Sequence, residues 1–273
     1  MMTKPTFLIV GAMKAGTTTL YHDLFEHPDI FLPVVKEPDI LVRYNDPEEI
    51  ERAYATLFRA ARKGQLRGEA STAYTKRPDQ EGAAERARLV CGPELKIIYM
   101  RRDPIERIRS HYKHEFQHGE MAEPITEAIH VHQRLIDYTR YDWQIAPWIA
   151  AFGAGNVLQI DLEEFSANRI ESLGRILRFI GADPARLPPV DPAEVSNRGD
   201  EQKHIRNPLL RAAIMSNFYQ HTLRGLIPRQ LRERARRSLL PPPEPAPADL
   251  DPESLAFIRQ QLSSPAPGLA ARQ

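Results

Sequence analysis

The stretch Phe7-Leu8-Ile9-Val10-Gly11-Ala12-Met13-Lys14-Ala15-Gly16-Thr17-Thr18-Thr19-Leu20 reads as an apolar run, a loop bounded by glycines, and the start of a helically spaced segment. A short apolar run ending at glycine is a buried-strand signal, and Thr17 to Glu26 carries helical spacing. The unit is therefore strand, loop, helix. Amides of such a loop and of the first helical turn converge on one point, where the helix dipole favours an anion. Gly16 lets the backbone approach closely, and Thr17, Thr18 and Thr19 add hydroxyls. In the usual nucleoside-triphosphate loop the glycines have the spacing of Gly11 and Gly16, but Lys-Ser/Thr follows the second. Here Thr17 takes the lysine's place and Lys14 lies inside the loop.

Outward from this unit, apolar runs alternate with helical patterns. Strands are expected at Leu95 to Met100 and Asn156 to Ile160, with a shorter one at Arg67 to Glu69. Helices are expected at Glu48 to Arg62, Gln80 to Val90, and from Pro104 to about Gln117, proline being well placed in a first turn. Strands separated by helices predict an α/β fold, a three-layer parallel sheet flanked by helices. Ligands of such folds bind at the carboxyl ends of strands, here Gly11, Glu69 and Arg101 onward.

The chain has 273 residues, 27% of them charged, and a formal net charge of +1, which gives no bulk drive toward nucleic acid or an acidic membrane. The lone cysteine, Cys91, rules out an intramolecular disulfide and a multi-cysteine metal site. The short N-terminal apolar run falls below a signal peptide's core, and no stretch has the ~20 apolar residues of a transmembrane segment. A cytoplasmic location is expected. Beyond Gly181 prolines cluster, notably in Leu240 to Pro247, and Lys203 to Arg237 holds nine Lys/Arg against one acidic residue. That basic region reads as a solvated charged face, with a lid or an acceptor surface as the alternative. We expect one domain over residues 1–238, then a proline-rich linker, a short helix and a disordered tail over 239–273. The oligomeric state is not legible.

Three function classes compete for the loop. A kinase needs the lysine after Gly16 and magnesium ligands. A non-catalytic nucleotide-binding protein needs the cradle but no positioned base. A sulfotransferase using 3'-phosphoadenosine 5'-phosphosulfate needs no metal. There a lysine within the loop reaches the oxygen bridging phosphate and sulfate, where charge grows as the bond breaks. Lys14 is placed for that role.

The loop through Ile30, "GAMKAGTTTLYHDLFEHPDI", and the segment Met100-Arg101-Arg102-Asp103-Pro104-Ile105-Glu106-Arg107-Ile108-Arg109-Ser110-His111-Tyr112 together resemble the two donor-binding motifs of sulfotransferases. The likeness spans about Phe7 to Gly181. It is closer to the carbohydrate and heparan type and to bacterial members, through "HPDIFLPVVKEPDIL", than to the steroid and phenol branch. It implies a P-loop-like fold and this donor, leaving 3',5'-adenosine bisphosphate. Lys14, Ala15, Gly16, Thr17, Thr18 and Thr19 would hold the phosphosulfate, and Arg102 and Ser110 the 3'-phosphate. Read independently, an arginine at a strand's end and a serine two turns into the next helix converge on one phosphate.

Transfer to a hydroxyl, or less readily an amine, of a carbohydrate, lipid or small molecule needs a base. Lys36-Glu37-Pro38 resembles the segment that supplies a catalytic glutamate in carbohydrate enzymes, so Glu37 is the first candidate. His114, one turn beyond Ser110, is the second; His118 extends the same face. "GEASTAY" resembles a segment with a second catalytic lysine, but this chain has Ala70 there. Either Lys14 acts alone or Lys36 enters the site, and Ser71 and Tyr74 are expected to line it. The likeness also implies a late basic loop, for which Arg198 and Lys203 are the candidates.

Overall fold

Phe7–Gly11 (β1) is buried at every position, as a strand covered on both faces must be. The computed structural model describes residues 4–190 and 246–266 of the chain. In it β1 is the middle strand of a five-stranded sheet in which every pairing is parallel. Ile30–Phe31 (β2) and Leu66–Ala70 (β3) lie on one side; Lys96–Arg101 (β4) and Val157–Asp161 (β5) lie on the other. The chain thus leaves β1 for one edge and later crosses to the opposite one. That reversal opens a crevice at the carboxyl end of β1, the place where open α/β sheets bind ligands.

The expected strands are all present, with β3 extended by a residue at each end. β2 was not expected: two residues are too few to show a period, and it exists through its pairing with Leu66 and Arg67. Helices Thr17–Phe25 (α1), Ile40–Arg43 (α2), Pro47–Leu57 (α3), Ala83–Cys91 (α4) and Pro104–His118 (α5) precede or follow these strands. α3 stops short of the expected Arg62. Phe58 is buried, and the chain then turns through Gly64, with Gln65 N donating to Arg62 O, to enter β3. Two N-termini are set by local chemistry: Asp46 accepts from the Glu48 and Glu49 amides, and Asp103 from Glu106 N at 2.9 Å. Each cap is followed by proline at the first helical position.

Between α5 and β5 lie Ile125–Val131 (α6), Arg134–Asp137 (α7) and Tyr141–Phe152 (α8), which the sequence reading left unassigned. α8 contains Pro147, and α7 is a single turn; neither shows a clean helical stripe. Leu162–Ala167 (α9) and Arg169–Ile180 (α10) follow β5, and a buried Asp23–Arg169 ion pair of 2.6 Å fastens α10 to α1.

The main core fills both faces of the sheet. A second apolar cluster joins Ile108 and Tyr112 of α5 to Ile125, Ile129, Leu135 and Ile136. Residues 246–266, with helix Pro252–Ser263 (α11), complete it by burying Ala248 and Ile258. Ile125 N donates to Pro247 O at 3.1 Å, and Arg140 Nη1 to Ser264 O at 2.7 Å. The end of the proline run is thus fastened to the start of α6. Arg198, Lys203 and the basic region to Arg237 lie outside the described residues.

Candidate functional site

Residues 12–16 connect β1 to α1 and are pinned from both neighbouring strands. Ala12 N donates to Met100 O at 2.8 Å, and the Thr75 hydroxyl to Val10 O at 2.8 Å. Gly11 leaves room for Thr75: a Cβ there would stand 2.1 Å from its Oγ1. Gly16, at φ 86°, precedes α1 without a side-chain cap, and a Cβ on it would meet Leu162 at 2.5 Å. Glycine is therefore required at that position twice over, by conformation and by space. The first amides of a helix have no intrahelical acceptor. Thr19 N is spent on Gly16 O at 3.0 Å and, against the expectation for Ala15, Ala15 N on Ala12 O at 3.2 Å, so the amides of Gly16 to Thr18 present the cradle. Thr17 and Thr19 are buried, and Thr18 is half-buried.

Lys14 occupies left-handed backbone space at φ 67°, rare for a residue with a side chain. Burial lowers its ammonium from the usual lysine range, and Arg102, Arg107 and Lys36 lower it further, while Glu37 opposes them. Lys14 thus sits among cations with one carboxylate in reach, which is the electrostatics of a site for an anion. Glu37 also lies in left-handed space, at φ 61°, and its carboxylate takes a 2.6 Å ion pair from Lys36. So Lys36 does enter the site, on Glu37. The Glu37 amide donates to Ala70 O at 2.9 Å, which sets the turn against the end of β3.

Arg102 leaves β4 on the loop side. Its Nη1 approaches Lys14 O at 3.5 Å and its Nη2 lies 3.7 Å from Glu106. The Tyr141 hydroxyl donates to Arg102 O at 2.8 Å and accepts from Arg102 N at 3.4 Å, fixing where the arginine starts. Ser110 is half-buried two turns along α5. His114 is half-buried on the same helix, its ring packed on His118 with centroids 4.1 Å apart. Lys14, Glu37 and Arg102 are brought together, and His114 lies one turn beyond Ser110 on α5.

Sequence reasoning missed Arg107. It is fully buried, donates to Thr139 Oγ1 at 2.7 Å, Leu135 O at 3.0 Å and His111 Nδ1 at 3.1 Å, and approaches Met13 O at 3.5 Å. His111 passes its other nitrogen to Glu115 at 2.8 Å, and Glu115 pairs with Arg134 at 2.8 Å. Burial holds the His111 imidazole down at about 4. Burial alone would raise Glu115, but His111 and Arg134 outweigh it and hold the carboxyl at about 2. The signal was an arginine five residues after Arg102 on the core-facing side of α5. Ser71 and Tyr74, expected to line the site, are instead buried behind it. A cavity of about 850 Å³ lies elsewhere, between Arg77, Arg101, Trp143 and Leu262; it shares Tyr141 and Pro104 with the α5 entry but no residue of the loop.

The family model of the sulfotransferase domain matches residues 4–198. The chain belongs to the sulfotransferase family. It is 28% identical over 203 residues to the mouse bifunctional heparan sulfate N-deacetylase/N-sulfotransferase 4, covering 66% of this chain and 22% of that protein. It is 25% identical over 248 residues to mouse carbohydrate sulfotransferase 15, covering 66% and 44%. The matches therefore span less than half the length of these relatives. Among solved structures, a sulfotransferase from Alicyclobacillus acidocaldarius superposes with TM-score 0.60 and 27% identity over 77% of this chain and 90% of that one. The sulfotransferase domain from the curacin biosynthetic pathway shares the fold at TM-score 0.54 and 17% identity, over 97% and 99%.

Proposed function

We propose that the protein transfers a sulfuryl group from 3'-phosphoadenosine 5'-phosphosulfate to a hydroxyl of an acceptor, with Glu37 as base and Lys14 as the cation at the leaving group. The observation that carries this is the meeting of Lys14 and Glu37 across the cradle, each in left-handed backbone space, beside Arg102. Residues in such sparsely populated conformations persist only where the surrounding structure over-determines them, and they cluster at active sites.

The residues fit the donor. The Gly16 cradle and the amides of α1 suit the 5'-phosphosulfate, Lys14 suits the bridging oxygen, and Arg102 with Ser110 suits the 3'-phosphate. As the acceptor oxygen bonds to sulfur, Glu37 takes its proton. The bond from sulfur to the bridging oxygen breaks, and Lys14 meets the charge left on that oxygen. Lys36 holds the Glu37 carboxylate in place through their 2.6 Å ion pair. His114 is the second choice of base, for an acceptor approaching along α5. The acceptor we favour is a carbohydrate hydroxyl, a reading supported by the named activities of the heparan and carbohydrate relatives. Ala70 argues against simple transfer of heparan specificity.

Binding of 3',5'-adenosine bisphosphate, measured by calorimetry without magnesium, is expected to be tight. Magnesium-dependent ATP binding in its place would make the protein a kinase. Lys14→Ala is expected to cut turnover by roughly 10²- to 10³-fold, the scale of losing one transition-state donor. Release of sulfate from labelled donor at the wild-type rate would remove Lys14 from its role.

A further inference from the structure

Glu69, next to last in β3, is fully buried and has no cation among its hydrogen-bond partners in the described residues. Three hydroxyls donate to it instead: Ser71 at 2.8 Å to one oxygen, and Tyr74 at 2.6 Å and Tyr54 at 3.3 Å to the other. A buried carboxylate is costly, and an apolar side chain of similar size is often as stable or more so. Its geometry indicates what it does.

A hydroxyl has one proton to give and lone pairs left over. Ser71 gives its proton to Glu69, and its oxygen accepts Asp39 N–H at 3.0 Å. Tyr74 gives its proton to Glu69, and its oxygen accepts Leu41 N–H at 3.2 Å. The Asp39 amide belongs to the turn that carries Glu37, where Glu37 and Asp39 take φ of 61° and 54° on either side of Pro38, and the Leu41 amide to the first turn of α2, which that turn runs into. Such a turn relaxes unless it is held. The holds come from one short segment: Ala70 O for Glu37 N, Ser71 for Asp39, Tyr74 for Leu41.

We infer that Glu69 is a positioning residue for Glu37: by taking the protons of Ser71 and Tyr74 it aims their oxygens at the Asp39 and Leu41 amides and so fixes the strained turn that presents Glu37. The inference rests on Glu37 being the base. Glutamine at 69 has a single acceptor oxygen and adds a donor, so it can serve only one of the two hydroxyls as Glu69 does.

The test uses the full chain and three variants, Glu69→Gln, Ser71→Ala and Glu37→Gln. Amide hydrogen exchange, affinity for 3',5'-adenosine bisphosphate and sulfate release from labelled donor are measured on each. Glu69→Gln is expected to speed exchange about tenfold at Asp39 and Leu41, the scale of one net hydrogen bond, and Ser71→Ala to do so at Asp39 alone. Amides of β1 and β4 should keep their protection. Turnover should fall roughly 10- to 100-fold, as for a misplaced catalytic group, with bisphosphate affinity within about twofold of wild type. Adding Ser71→Ala to Glu37→Gln should cost nothing more, because both act through one group. Unchanged exchange at both amides overturns the inference, and so does exchange that rises equally throughout the sheet, which marks a role in stability alone. Ser71→Ala keeps the question decidable if Glu69→Gln does not fold. Failure of the wild type to bind the bisphosphate would instead sink the sulfuryl-transfer reading, and the exchange result would stand apart from it.

Discussion

Lys14 and Glu37 show how much of the candidate centre is backbone. Their identity was legible in the sequence, but the left-handed conformation that aims them was not, because neither is a glycine or asparagine that would announce it. Two other buried groups set an acid-base balance in stability. Burial, against the hydroxyls that hold its charged form, pushes the Glu69 carboxyl up to about 7, so below that pH the folded state holds a proton that the unfolded chain has released, and above it Glu69 is the carboxylate to which Ser71 and Tyr74 donate. Stability from this group is full at low pH and is lost as pH rises from about 4.5 to about 7, on the order of 3 kcal/mol. His111 works the other way: its imidazole is held near 4, so stability is present above the ordinary histidine range and falls as pH drops from about 6.5 to about 4. The two nearly cancel. Urea midpoints measured between about pH 5 and 7 should therefore rise with pH in Glu69→Gln and fall with pH in His111→Gln, relative to the wild type. Parallel profiles for the three proteins would refute both assignments.

At the scale of elements, the strand-loop-helix unit and the Asp103-Pro104 start of α5 were readable because each rests on local chemistry: glycine conformations, a capping carboxylate, proline at a first turn. β2 and the helices from Ile125 to Phe152 were not, because they are specified by what they pack on. The same holds for Ser71 and Tyr74, whose place in a motif suggested the site's lining although their burial puts them one layer behind it. Gly16 gives the sharpest test of the cradle. Gly16→Ala forces a Cβ to 2.5 Å from Leu162 at φ 86°, and α1 must shift to relieve it. Bisphosphate affinity measured by calorimetry should fall at least about tenfold, since the amides then miss their common focus. Gly64→Ala, where a Cβ meets nothing within 4 Å, is the control for the cost of positive φ alone.

The described residues are held from two cores, and only one was visible in the chain. The apolar strands announced the first; the second depends on residues 246–266 returning to α6 and α7 across a long separation in sequence, which no local pattern encodes. Ile258, fully buried there, lies on α11, which packs on α6 and α7, and α7 packs in turn on α5, the helix that carries Ser110. Ile258→Ala should cost about 2–5 kcal/mol, read as a lowered thermal midpoint. It should also weaken bisphosphate binding. A lowered midpoint with unchanged affinity would separate the second core from the site.

Arg107 carries one more consequence. Among the described residues its bonds run to a hydroxyl, two carbonyls and a neutral imidazole, with no carboxylate bonded to its buried charge. In a medium of low polarisability that charge is felt across the loop, and the chain bears the cost of it before any donor arrives. An anion in the cradle relieves that cost, which makes the donor a part of the fold's own energetics: saturating 3',5'-adenosine bisphosphate should raise the melting temperature, and Arg107→Met should shrink that rise while firming the ligand-free protein.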